Sequence, residues 1–221
     1  MSAVVQIPIF PLPDVVLFPH TLLPLHIFEP RYRQMVQDCL AGDKRLAMGL
    51  LRSGWEKDYY GRPPIHTIAG AGEIIRHEEL PDGRFNILVR GSMRIAITSE
   101  LPPDLPYRVV RARPLPDRYP DGGPAALEGR VNRLKVFYLR ILAELQKGQG
   151  EMAKIFTGIK DPGTIVDRIA GAMDARVRRT RTGRRPPIQE HGALHLFRTQ
   201  SWPRRRPPRR QQTSSRVGGD V

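Results

Sequence analysis

Apolar positions in the first 119 residues come in short runs separated by turn residues. Val4-Val5-Gln6-Ile7-Pro8-Ile9-Phe10 is brief and β-branched, and its proline suits a strand start or a sheet edge. Val15-Val16-Leu17-Phe18 follows the turn pair Pro13-Asp14, and Leu22-Leu23-Pro24-Leu25-His26-Ile27-Phe28 is a further extended run. From Pro30 the period changes. Tyr32, Met35, Val36, Cys39 and Leu40 recur at helical spacing, so the segment predicts a helix with one apolar face. Proline is tolerated in its first turn, and Gly42 is its expected end. Leu46 to Leu51 reads as a strand, Ser53 to Pro64 as a loop, and Thr67 to Arg76 as a strand broken by Gly70 and Gly72. Asp82-Gly83 between β-prone runs predicts a hairpin. Gly91 is expected to break the next run, with strands resuming at Arg94 to Thr98 and Tyr107 to Ala112. Short strands at close spacing with one helix predict a closed or nearly closed small β-barrel.

Pro120-Asp121-Gly122-Gly123-Pro124 marks a linker. Beyond it Leu127, Val131, Leu134, Tyr138, Ile141 and Leu145 alternate spacings of four and three, and Phe137 and Leu142 widen the stripe. This predicts a long amphipathic helix ending at Gly148 and Gly150. Glu151 to Thr157 is consistent with a short helix. Asp161-Pro162-Gly163-Thr164 is a second helix start, with Ile165, Val166, Ile169 and Met173 on one face. From Asp174 the period is lost. The expected organisation is therefore a β-rich region over 1–119, a helical region over 120–173, and a disordered Arg/Pro-rich tail over 174–221.

Charge sharpens that division. The chain carries +14 over 221 residues. Residues 174–221 hold thirteen Arg against three acids, so residues 1–173 carry only +4. The basic character belongs mainly to the tail and does not make the front of the chain a nucleic-acid domain. All the tail's basic residues are Arg, and an amphipathic helix cut off into Arg/Pro/Gly text fits either a native basic tail or a shifted reading frame in GC-rich coding sequence. The chain is 40% apolar, and no run reaches the length of a membrane span. One cysteine excludes an internal disulfide. No basic residue precedes the first apolar run and prolines interrupt it, so a cytoplasmic protein is expected.

The runs Ile7-Pro8-Ile9-Phe10-Pro11-Leu12, Val15-Val16-Leu17-Phe18-Pro19 and Leu23-Pro24-Leu25-His26-Ile27-Phe28-Glu29-Pro30-Arg31-Tyr32 resemble the N-terminal domain of the Lon protease family. Agreement continues through Trp55-Glu56-Lys57-Asp58-Tyr59-Tyr60-Gly61, Ala71-Gly72-Glu73-Ile74, Leu80-Pro81-Asp82-Gly83-Arg84 and Gly91-Ser92-Met93-Arg94. The resemblance implies an α+β fold: a PUA-like small β-barrel with one helix, then a helical subdomain, here partial. It implies a role in substrate recognition and assembly for an ATP-dependent protease, as a standalone bacterial type. Two departures stand out. The 221 residues hold no G-x-x-x-x-G-K-[ST] phosphate loop and leave no room for a Ser-Lys protease domain, so no enzyme activity is expected. The family's helical part continues beyond the position of Met173, where this sequence loses its pattern.

Candidate chemistry is sparse. Phe18, Phe28 and Tyr32 could line a groove for unfolded apolar segments, or build the core and fix the entry into the first helix. Trp55, Tyr59 and Tyr60 lie in a polar, Gly/Pro-bounded loop, where aromatics serve as contact anchors or fold back over an open barrel end. Glu29 is expected to accept backbone N–H groups at the start of the helix that follows it, or to favour that helix's dipole. Cys39 lies on that helix's apolar face and is expected to be a buried small hydrophobe. The six histidines lack zinc-like spacing, and His191-Gly192-Ala193-Leu194-His195 has Gly where a metalloprotease needs Glu, so neither metal nor cofactor is expected. The resulting expectation is a non-catalytic module that binds unfolded polypeptide or a protein partner such as a protease. The competing expectation is an RNA-binding PUA-like protein, with nucleic acid held through the tail arginines.

Overall fold

Residues 85–100 form one unbroken strand, and the topology follows from what pairs with each half of it. The computed structural model describes residues 4–144 and 154–181. The elements run β1 (Val5–Leu12), β2 (Leu22–Ile27), α1 (Pro30–Ala41), β3 (Arg45–Leu50), β4 (Ile68–Glu79), β5 (Phe85–Glu100), β6 (Arg108–Leu115), α2 (Glu128–Glu144) and α3 (Pro162–Arg181). The first half of β5 lies antiparallel to β2, from Leu22 opposite Arg90 to Ile27 opposite Phe85. The second half lies antiparallel to β6, from Arg94 opposite Leu115 to Glu100 opposite Val110. Strand order is β2-β5-β4-β3-β1-β6, and the extra β5–β6 pairing makes the hydrogen-bonded neighbours run β1, β3, β4, β5, β6 and back to β1. The mixed sheet and three helices make this an α+β fold.

Gly91 does not break β5, contrary to the sequence expectation; it sits where the strand exchanges β2 for β6. Its need for glycine comes from a neighbour. The apolar run Val15–Phe18 forms no strand and lies against β4 and β5, with the Leu17 carbonyl against Gly70 and the Phe18 carbonyl against Gly91. A Cβ at either position would overlap those oxygens. The same crossing is tied by His20 N–H to Gly91 O at 3.0 Å and Gly91 N–H to Thr21 O at 2.9 Å. β4 likewise runs through Gly70 and Gly72, with only a shift of its register against β5 between Ala71 and Gly72. The Asp82-Gly83 hairpin forms as expected: Gly83 takes φ 76°, and the Asp82 carboxylate accepts Arg84 N–H at 3.1 Å.

Alternation along β1 divides the core. Phe10 and Leu12 face one cluster with Ile27, Phe85 and Ile87, over which α1 lays Tyr32, Met35, Val36 and Cys39. Ile7 and Ile9 face a second cluster with Ile95 and Val110, filled out by Ala47, Ala69, Ala71 and Ala112. Burial on both faces explains why β1 reads as a nearly continuous apolar run. α1 starts on Pro30 as expected, and Gly42 N–H closes it by donating to the Asp38 and Cys39 carbonyls. The left-handed residue after the helix is Lys44, at φ 63°.

α2 and α3 pack through Val131, Tyr138 and Leu142 against Ile165 and Ile169. The Asp161 side chain caps α3, accepting Thr164 N–H at 2.6 Å, and this contact together with the Tyr119 hydroxyl holds its carboxyl below the usual range. α3 continues through Arg181, so the helix outlasts its apolar pattern at Met173. Alanine and arginine are good helix formers and sustain a helix with no apolar stripe. Of the expected short helix over 151–157, a 3-10 turn at Lys154–Phe156 is observed and residues 151–153 lie outside the described residues. Residues 182–221, with the reading-frame question and His191 and His195, also lie outside them.

Arg94 on β5 joins the sheet to the helices. It meets Asp117 at 2.9 Å and also pairs with Asp167 on α3, whose side chain is 2% exposed. Burial raises the Asp167 carboxyl above its usual value, with Arg94 pulling the other way and Asp117 adding to the rise.

Candidate functional site

Behind Gly54, which takes φ 89°, Trp55–Asp58 make one 3-10 turn that stacks three aromatic rings. Tyr59 lies edge-on to Trp55 at 5.6 Å and to Tyr60 at 5.1 Å between centroids. Tyr59 is anchored at the start of α1. Its hydroxyl donates to Glu29 Oε1 at 2.6 Å, and Arg31 Nε donates to Glu29 Oε2 at 2.9 Å. The Arg31 guanidinium lies 4.7 Å from the Tyr32 ring centroid and 5.5 Å from that of Tyr59. Glu29 therefore fastens the loop; it stands at the N-cap of α1 without a side-chain cap hydrogen bond, which corrects the expectation of a carboxylate accepting backbone N–H groups there. A short bond to a phenol and an ion pair outweigh an exposed cap.

The opposite wall comes from residues 103–108. Pro103, Leu105 and Pro106 line, together with Tyr60, Arg62, Tyr32 and Tyr107, a cavity of about 220 Å³. Arg108, itself buried, sets the spacing of the walls: Nε donates to Glu100 at 3.0 Å, Nη1 donates to the Pro63 carbonyl at 2.8 Å, and Nη2 also pairs with Glu100. Tyr107 is pinned from below by donating to Asp38 Oδ2 at 2.6 Å. Tyr60 and Leu105 stand at the rim, 88% and 45% exposed.

The six candidate residues separate. Tyr59 and Tyr60 form one wall, Trp55 backs Tyr59, and Tyr32 serves both core and cavity lining, its ring 4.2 Å from Phe10. Phe18 lines a different cleft of about 280 Å³ with Val15, Ile68 and Gly70. Phe28 is exposed beside His26, at 6.3 Å between rings, and lines neither. Sequence reasoning missed Arg62 and Leu105. An available signal was Pro102-Pro103-Asp104-Leu105-Pro106, where a large apolar residue is held between prolines in a loop.

The groove is built for contact. Burial pushes the Tyr32 phenol up to about 12, with Arg31 opposing the shift. Burial and the bonds to Glu29 and Asp38 raise Tyr59 and Tyr107. These hydroxyls stay protonated at neutral pH, and those of Tyr59 and Tyr107 donate to Glu29 and Asp38. Cys39 is buried, donates to the Arg45 carbonyl at 3.3 Å, and has its thiol raised to about 12, chiefly by burial and then by Asp43 and Asp38. Such a thiol is a packing group. Among the described residues no three His, Cys, Asp or Glu side chains are grouped to hold a metal ion, and no helix is long and apolar enough to cross a membrane.

Comparison with known proteins agrees with this architecture. The chain is 25% identical over 175 residues to the Lon protease of Xanthomonas oryzae pv. oryzae, covering 79% of this chain and 20% of that one. It is 28% identical over 176 residues to the Lon protease of Trichlorobacter lovleyi, covering 77% and 21%. The chain thus spans about a fifth of the length of these curated relatives. Among solved structures, the N-terminal domain of the Mycobacterium avium complex Lon protease superposes with a TM-score of 0.59 at 16% identity, over 79% of this chain and 88% of that one, which establishes the shared fold. The sequence profile of the ATP-dependent protease La (LON) substrate-binding domain matches residues 6–179, and the chain belongs to that family.

Proposed function

We propose that this protein is a non-catalytic module that holds extended polypeptide segments in the groove between Tyr60 and Leu105. The observation that carries this reading is a rim of exposed apolar surface over walls whose Glu29, Arg31, Tyr107 and Arg108 groups are already bonded to one another or to the fold. Such a groove offers contact area without the cost of stripping water from unpaired polar groups. Membership of a substrate-binding family supports the same reading. The returning ring of strand pairings supports a PUA-like β-barrel as the scaffold. Its setting is cytoplasmic protein quality control, in which the module presents clients to a protease or docks on one. Trp55 and Tyr59 position the wall, and Tyr60 touches the client.

The RNA-binding alternative needs cations free to meet phosphates. Two of the three arginines lining the groove, Arg31 and Arg108, are paired with glutamates.

The test uses reduced, carboxymethylated α-lactalbumin as a permanently unfolded probe. Replacing both Tyr60 and Leu105 by Ala removes exposed side chains, so the melting temperature stays near that of the parent chain. Affinity for the probe is expected to fall about tenfold, the scale of losing a central contact residue. Unchanged affinity in a folded double variant would refute the groove as the client site.

A further inference from the structure

Arg62 differs from the other two arginines of the groove. Arg31 pairs with Glu29 at 2.9 Å, and Arg108 pairs with Glu100 while also bonding the Pro63 carbonyl. The Arg62 guanidinium meets only a neutral acceptor, the Leu101 carbonyl, at 3.3 Å. Asp58, in the same turn, meets Arg62 through the backbone, its Oδ2 accepting the Arg62 N–H at 3.3 Å. Among the described residues Arg62 forms no ion pair, and it is exposed on the same wall as Tyr60. None of the residues lining the cavity is acidic.

An occupant therefore meets two things side by side: an apolar slot bounded by Tyr60, Leu105 and Pro103, and one guanidinium with donors to spare. A guanidinium presents its donors in a planar fork that matches a carboxylate. We propose that the groove selects extended segments in which an aromatic or aliphatic residue is followed closely by Asp or Glu, the apolar side chain entering the slot and the carboxylate pairing with Arg62. This rests on the polypeptide-binding reading above and adds a rule for which segments are taken. The backbone of the 59–63 wall is held by Arg31 to Tyr59 O, by Gly61 N–H to Asp58 O at 2.9 Å, and by Arg108 to Pro63 O, so the Arg62 side chain is presented from a fixed frame.

The experiment measures binding of the full chain to fluorescein-labelled peptides with blocked termini, identical except for one residue after a Phe-Leu pair. The Glu peptide is expected to bind about threefold more tightly than the Gln peptide, as suits an ion pair open to solvent, and the Lys peptide most weakly. Arg62→Gln is expected to erase the Glu preference, bringing the Glu and Gln peptides to equal affinity. A preference that survives Arg62→Gln, or Glu and Gln peptides of equal affinity for the parent chain, would overturn the assignment while leaving polypeptide binding intact. A Gln peptide with a free C-terminus that binds as tightly as the Glu peptide, and depends on Arg62, would make the occupant a chain terminus and likewise overturn it. Binding of none of the peptides, alongside failure of unfolded α-lactalbumin to bind, would instead overturn the polypeptide reading itself.

Discussion

Gly70→Ala is expected to cost about 3 kcal/mol of stability, at the upper end for overpacking. The added methyl would lie inside the contact distance of the Leu17 backbone oxygen, and also close to the Leu17 carbonyl carbon and Cβ. A backbone carbonyl cannot swing aside as the tip of a long side chain can. The crossing segment must lift from β4, and with it Leu17, which is buried in the main core. Gly91→Ala should behave alike, through Phe18 O. Gly129→Ala is the contrast. It lies in α2 with nothing within 4 Å of a new Cβ. There alanine should stabilise by about 0.5–1 kcal/mol, because glycine loses more backbone freedom in a helix. Urea midpoints at constant slope check both. A Gly70→Ala chain within about 0.5 kcal/mol of the parent, small beside a usual domain stability of about 5–15 kcal/mol, would mean that Leu17 does not rest on the strand.

Phe10→Ala is expected to cost about 3–5 kcal/mol, the range for emptying a buried aromatic site. Phe10 is 1% exposed and its ring leans on Tyr32 at 4.2 Å. The loss should reach the groove, because Tyr32 lines it and carries the Arg31 guanidinium that braces Tyr59. Probe affinity should therefore fall in parallel with the melting temperature. Phe10→Leu keeps most of the volume and should cost about 1 kcal/mol, with the groove still closed behind Tyr32. A Phe10→Ala chain that melts like the parent would contradict the packing of α1 on β1.

What the sequence disclosed was local. The α1 period, the Asp82-Gly83 turn, the α2 stripe and the start of α3 at Asp161 each sit within a few residues and repeat a known spacing. The α+β class was implied by the family resemblance. Glycines misled the strand boundaries, because Gly70 and Gly91 answer to a chain segment that crosses them far along the sequence, and no local pattern records that. The end of α3 was hidden for the opposite reason: a helix can persist where its apolar stripe has stopped. At the groove, the aromatic wall was legible as aromatics in a polar loop. The role of Glu29 was not, since its partner Tyr59 lies 30 residues away. Nor was the far wall, whose prolines carry no period.

The most direct test of the account is amide hydrogen exchange of the full chain with and without excess carboxymethylated α-lactalbumin. Bound probe should slow exchange in residues 59–62 and 105–108, which line the cavity, and leave the exposed α2 face at Val136, Phe137 and Ile141 unchanged. Slowing confined to that helical face, with both groove segments exchanging as before, would show that clients are held somewhere other than between Tyr60 and Leu105.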